Sequence, residues 1–314
     1  MVMVTKKHAY KRFSVRLILA VFILLLFQSF SLAENIIIIK SQNLPQYNMA
    51  LEGFKKEMKN KGYAEGGNLK ITYSDLAGIP GNISSFDLIY AIGTEAVKAV
   101  SEKVANKPIV FSMVLSPAKQ KILKSNISGV ALDIPVKQSL ETIKEIIPNA
   151  KSVGIIYDPT YSQSIANEAK AVAGNYGLSI VATSVASSPD VVKAIKEMVG
   201  KIQVFWLILD PTVATKDTIP FIMNECQQGS VAVFGFASFL VKVGAIASPV
   251  LDYEDIGRQS GAMAGDILAK GGAGELPPLA YPRNLNLAIN TKTAGALGIK
   301  ISSDVTKRAV ETYN

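Results

Sequence analysis

Two junctions in this 314-residue sequence combine a reactive or polar side chain with backbone free to bind. Gly93-Thr94 follows the apolar run Leu88 to Ile92 and opens a helical pattern, Thr94 to Val104. A helix N-terminus has unpaired N–H groups and a partial positive charge, so it suits an anion such as a carboxylate. Gly93 would let that anion approach the backbone, and the Thr94 hydroxyl either adds a donor or caps the helix as its N-cap. Asp210-Pro211 closes another apolar run, Gln203 to Leu209. The Asp210 carboxylate is either the partner of a ligand ammonium group or a turn residue ahead of the proline. If both take the ligand role, the two junctions would hold an anionic and a cationic end of one small molecule.

Other residues share their position at the ends of apolar runs. Ser112 and Met113 end the run that starts at Pro108, one as a donor and the other as an adaptable apolar surface. Gln42, Tyr47 and Asn48 follow Ile36 to Ile39. Tyr157 ends Ser152 to Tyr157, and Tyr161 and Ser162 open the next helix; either tyrosine could stack on a ring. Phe236 follows Gly235 and would floor a pocket. Asp158 reads as a helix N-terminal residue, Ser116-Pro117 as a turn, Trp206 as core, and Cys226 as a small buried apolar residue in a helix.

Several chemistries are excluded. The one histidine is His8, so triads and zinc sites that need histidine cannot form beyond it. No Gly-x-Ser-x-Gly, Gly-x-x-x-x-Gly-Lys-Ser/Thr or Gly-x-Gly-x-x-Gly occurs. We expect no cofactor, no metal and no enzyme. A single cysteine makes no internal disulfide, so stability must come from packing.

The N-terminus sets the compartment. Lys6, Lys7, Lys11, Arg12 and Arg16 precede eleven apolar residues, Leu17 to Phe27, and Ser31-Leu32-Ala33 then offers small residues for cleavage. That order is a secretory leader, residues 1–33, too short in its apolar part to span a bilayer. Glu34 rather than Cys follows the expected cut, so no lipid anchor is expected. Removing the leader removes five of the 33 Lys and Arg and none of the 25 Asp and Glu. The balance is then 28 against 25, an ordinary soluble surface and not a nucleic-acid footprint.

The elements that must position these residues alternate short β-branched runs with longer helical patterns. Ile36 to Ile39, Leu69 to Tyr73, Asp87 to Ile92 and Pro108 to Val114 read as strands. Tyr47 to Lys61 and Thr94 to Val104 read as helices. A second series runs from the helix Val136 to Ile147 to the strand Val231 to Phe234. Continuous apolar strands separated by helices predict parallel sheets covered on both faces, hence an α/β fold with two Rossmann-like lobes. We expect crossings near Ile127 to Pro135, Gly244 to Pro249 and Leu279 to Leu285, a three-segment hinge able to close around a ligand. One lobe then holds residues 34–130 and 249–281, the other 131–248 and 282–314. The stretch Asp75 to Phe86 is too short for a full helix with its turns.

Several stretches resemble one family: Asp87-Leu-Ile-Tyr-Ala-Ile-Gly93-Thr94, Lys107-Pro-Ile-Val-Phe111, Ile146 to Pro159, Val243-Gly-Ala-Ile-Ala-Ser248, Asp252-Tyr-Glu-Asp-Ile-Gly-Arg258 and Asn284 to Asn290. In order and spacing the chain is similar to ABC-transporter substrate-binding proteins with the type I periplasmic-binding fold, in the branch of tryptophan- and tyrosine-type binders. The resemblance implies a periplasmic, monomeric protein that captures a small molecule, an amino acid with aromatic ones first, and presents it to a membrane permease. A ligand-sensing subunit would need the same two lobes. A histidine-independent α/β enzyme and a transcription regulator fit the leader and the missing motifs less well.

Overall fold

The computed structural model describes residues 33–272 and 274–314. The expected leader lies outside them, apart from its last residue.

Alternation along β1 (Glu34–Lys40) builds the first sheet. Ile36 and Ile38 enter a core with Phe54 and Met58, while Ile37 and Ile39 enter another with Val97 and Val100. Successive side chains of a strand face opposite ways, so four isoleucines in a row suit a strand covered on both sides. With β2 (Leu69–Asp75), β3 (Leu88–Ile92), β4 (Ile109–Val114) and β5 (Ile127–Ala131), it forms a parallel sheet in the order β2-β1-β3-β4-β5. Helix α1 (Pro45–Asn60) covers one face and α2 (Thr94–Ser101) the other. Between β2 and β3 there is only one 3-10 turn, Ile83–Ser85, as the short spacing requires.

The second sheet comprises β6 (Ser152–Tyr157), β7 (Ser179–Ser184), β8 (Val204–Trp206), β9 (Ala232–Phe234), β10 (Ala247–Leu251), β11 (Leu285–Asn290) and β12 (Ala309–Tyr313). Their order is β12-β11-β10-β9-β8-β6-β7. It is parallel except where β11 runs antiparallel to β10, so this sheet is mixed rather than wholly parallel. Helices α3 (Val136–Ile146) and α4 (Pro159–Val172) fill one face; α5 (Ser188–Val199), α6 (Thr218–Gln228) and α7 (Ser238–Lys242) fill the other.

The chain leaves the second sheet after β10, and α8 (Tyr253–Ala269) packs on α1 and the first sheet. This contact is backbone to backbone. A Cβ on Gly53 would stand 1.9 Å from the Glu254 carbonyl oxygen, and one on Gly257 1.9 Å from that of Ala50. Glycine is therefore required at both positions. The chain then returns to β11, and α9 (Thr291–Ala296) and α10 (Ser303–Lys307) add Ala294 and Val305 to the core.

Two expected crossings shift. Ile127 to Ala131 is edge strand β5, and Ala247 to Leu251 is strand β10, so the chain passes between sheets just after each. Both strands are short and interrupted by Ser with Gly or Pro, a composition that reads as linker. Pro249 is tolerated because β10 pairs with β9 only at Ala247, before the proline. The third passage is tied to β5, where Ala131 N–H donates to the Ala280 carbonyl and Ala280 N–H to that of Gly129, both at 2.9 Å.

Candidate functional site

A cleft of about 610 Å³ opens between the two sheets beside the three passages. Its walls are largely apolar: Leu132 and Leu251 near the passages, and Trp206, Ile208, Phe234 and Phe236 from the ends of β8 and β9. Volume and lining suit a small organic ligand. Polar groups enter from few places, chiefly Ser116, Lys119 and Asp133 from the ends of β4 and β5, and Glu168 from α4.

The geometry of the first-lobe edge follows from β4. Met113, near its end, takes φ +61°, the register to β5 shifts between Phe111 and Val114, and Ser116 takes φ +50°. The bulge turns Ser112 and Met113 into the core. Ser112 is fully buried with its Oγ 2.7 Å from Tyr90 Oη, and Met113 is buried as well. Burial pushes the Tyr90 hydroxyl well up from the ordinary tyrosine range. The chain that emerges into the cleft is therefore Leu115 to Lys119. Ser116 donates from both N–H and Oγ to the Asp133 carboxylate, at 2.6 and 2.7 Å.

Ser41, Tyr47 and Gly93 meet at the N-terminus of α2. Gly93, at φ +96°, is the N-cap and Thr94 the first helical residue, so the expected cap at Thr94 is one residue out. The side-chain cap comes instead from Ser41, whose Oγ accepts the Ala96 N–H at 2.8 Å. A Cβ at Gly93 would lie 2.7 Å from both Ser41 Oγ and Tyr47 Oη, which is why glycine stands there. Burial raises the Tyr47 hydroxyl above its ordinary range. Asn48 is exposed and accepts from Lys40 Nζ at 2.7 Å; Gln42 is exposed.

In the second lobe, Asp210 is fully buried. Its Oδ2 accepts the Asp158 N–H at 2.9 Å, and its Oδ1 accepts those of Thr212 and Val213 at 2.9 and 3.3 Å. Buried and bonded through both oxygens to backbone donors, it serves the turn before Pro211, one of the two readings its position offered. Asp158 is the α4 N-cap, as its position before Pro159 implied. The Thr212 hydroxyl and the Thr160 N–H hold its carboxyl below the usual aspartate range. Tyr157 is buried, with its Oη 3.4 Å from Gln163 Nε2. Ser162 is buried and its Oγ has no hydrogen-bond partner within the described chain. The Tyr161 ring is exposed, and its carbonyl accepts from Lys119 Nζ, which joins the first lobe's β4–β5 loop to α4.

Of the twelve residues expected at the site, only Phe236 lines this cleft, with its ring edge-on to Phe239 at 5.8 Å. Trp206, read as core, is both: it is nearly buried in the β6–β8 core and forms part of the cleft wall. The rule that ligands lie beyond strand ends pointed to the sheet edges at which this cleft opens. The β4 bulge and the early end of β8 displaced the lining residues further along the chain.

Comparisons with known proteins agree with this architecture. Residues 35–313 match the family model for "ABC transporter substrate binding protein". A tyrosine-binding protein of Clostridioides difficile is 27% identical over 289 residues, 86% of this chain and 83% of that protein. The ligand-free, open structure of a substrate-binding protein with adhesive properties from Clostridium difficile is 26% identical, with TM-score 0.72 over 89% of this chain and all of that one. An ABC domain from Streptococcus pneumonia in complex with L-Trp shares the fold at 24% identity and TM-score 0.55, over 89% of this chain and 99% of that one. This is a family of binding proteins and not of enzymes, and the chain, matched along nearly all of its described length, belongs to it: the ABC transporter substrate-binding proteins.

Proposed function

We propose that the protein is exported and captures an amino acid, with aromatic ones favoured, by closing its two lobes, and that it delivers the ligand to the permease of an ABC importer. The observation that carries this reading is the cleft between the sheets. It lies beside three chain passages that can bend, its walls include Trp206, Phe234 and Phe236, and it is large enough for a ring-bearing amino acid. The tyrosine-binding relative and the L-Trp complex support an amino-acid ligand. The overlay on an open, ligand-free structure supports reading this conformation as the open one. The basic and apolar run before Ala33 supports export, with a mature N-terminus at Glu34.

The test is a thermal-shift screen of the purified protein against amino acids, nucleosides and sugars. A ligand at a hundred times its Kd adds about 2.7 kcal/mol to the folded state. Stabilisation by an amino acid supports the reading. Stabilisation by another class alone overturns it.

A further inference from the structure

We propose that Asp133 is the group in the cleft that recognises a ligand's ammonium, and so sets specificity for amino acids over their deaminated analogues; this rests on the amino-acid reading above. Asp133 sits at the first passage between lobes, half-buried at the cleft wall. Each of its carboxylate oxygens accepts one hydrogen bond from Ser116. A carboxylate offers about four acceptor positions, so half its capacity remains. Among the described residues no lysine or arginine lies within ion-pair distance of it.

The other acids near the strand ends differ. Asp210 and Asp158 are buried inside the second lobe on backbone and hydroxyl donors, and neither lines the cleft. Glu168, the other acid lining the cleft, is exposed on α4, where water meets its charge. Asp133 alone is a half-buried carboxylate held at the cleft wall with no cation within ion-pair distance, Lys119 of the same wall being turned to the Tyr161 carbonyl, and such a charge gains most from a cationic partner. Its orientation is held at a cost, since Ser116 adopts φ +50° to donate to it, and strain of this kind persists where the surroundings impose it. A ligand ammonium there would also touch the passage that must bend on closure, linking recognition to the lobe movement.

Isothermal titration tests this with L-tyrosine and L-leucine, each beside its deaminated acid, 3-(4-hydroxyphenyl)propionate and 4-methylpentanoate. Fluorescence of Trp206, the one tryptophan, gives a second readout. The wild type should bind an amino acid about tenfold or more tighter than its deaminated partner. D133N keeps an acceptor oxygen for the Ser116 N–H, while its amide N–H can donate to Ser116 Oγ, and it should erase that preference with affinity for the deaminated acid unchanged. A purely structural brace would weaken both ligands together. Undiminished amino-acid binding by D133N overturns the assignment and leaves the amino-acid reading intact. Should D133N not fold, equal wild-type affinity for L-tyrosine and its deaminated acid would still overturn it. Failure of the wild type to bind any amino acid overturns both.

Discussion

Asp255 and Arg283 join α8 to the third passage between lobes. Arg283 Nε donates to Asp255 Oδ2 at 2.9 Å and Nη2 to Oδ1 at 2.6 Å. Asp255 is almost fully buried in the first turn of α8, where the helix end favours an anion. Arg258, Gln259 and Asn284 also donate to it. Burial alone would raise its pKa. The Arg283 hydrogen bonds and charge, with the charge of Arg258, outweigh burial and hold the carboxyl below the usual aspartate range.

A depressed carboxyl contributes stability that is complete above the ordinary aspartate value and is lost as pH falls through the folded one. The melting temperature should therefore fall on acidification below about pH 4. Asp255→Asn should cost about 1–3 kcal/mol at neutral pH and make that fall shallower. Asp158 and Glu254, depressed by Thr212 and Lys56 respectively, leave a residual slope. Parallel melting curves against pH for the two proteins would refute the role of Asp255.

Asp210→Ala separates the turn carboxylate from a ligand contact. Removing it strands two backbone N–H groups, those of Asp158 and Thr212, while Val213 keeps its bond to the Asp210 carbonyl at 3.1 Å. The expected loss is about 2–5 kcal/mol, seen in urea unfolding, with amino-acid affinity of the folded protein little changed. If stability held while binding vanished, the ammonium role would return to this residue.

The α1–α8 contact predicts a sharp contrast between glycines. Gly257→Ala places a methyl inside the Ala50 carbonyl and must push the helices apart. We expect a loss of about 3 kcal/mol or more, near the upper end for overpacked sites. That corresponds to a drop of roughly 6–12 °C in melting temperature. Gly174→Ala, with no atom near its Cβ position, should change little. Equal melting temperatures for the two variants would show that the contact yields at little cost.

These cases mark what the sequence could reveal. The four isoleucines of β1, Pro159 behind Asp158 and the short interval before β3 led directly to a covered sheet, a helix cap and a missing helix, because each is a local rule. Strands β5 and β10 were hidden, since Ser with Gly or Pro in five residues reads as linker unless the neighbouring strands are known. The α2 cap was hidden for a similar reason: Ser41 lies 55 residues from Ala96. Asp133 was passed over because its value depends on the β4 bulge, which hides Ser112 and turns Ser116 towards it. Asp210 drew notice for its position before a proline, and that position turned out to serve the turn.

Cys226 offers a test of how tightly the second lobe is packed. It is fully buried on α6 among Ile222, Val231 and Leu240. Burial first, and then the nearby Glu225 charge, push its thiol up to about 12. The thiolate is the reactive form, so at pH 8 the folded protein should be inert to a disulfide-exchange reagent such as Ellman's. In rising urea the modified fraction should follow the loss of helical circular dichroism, because access requires the lobe to open. Stoichiometric labelling in native buffer within minutes would mean that α6 detaches well below the global transition and that Cys226 is not held in a tightly packed core.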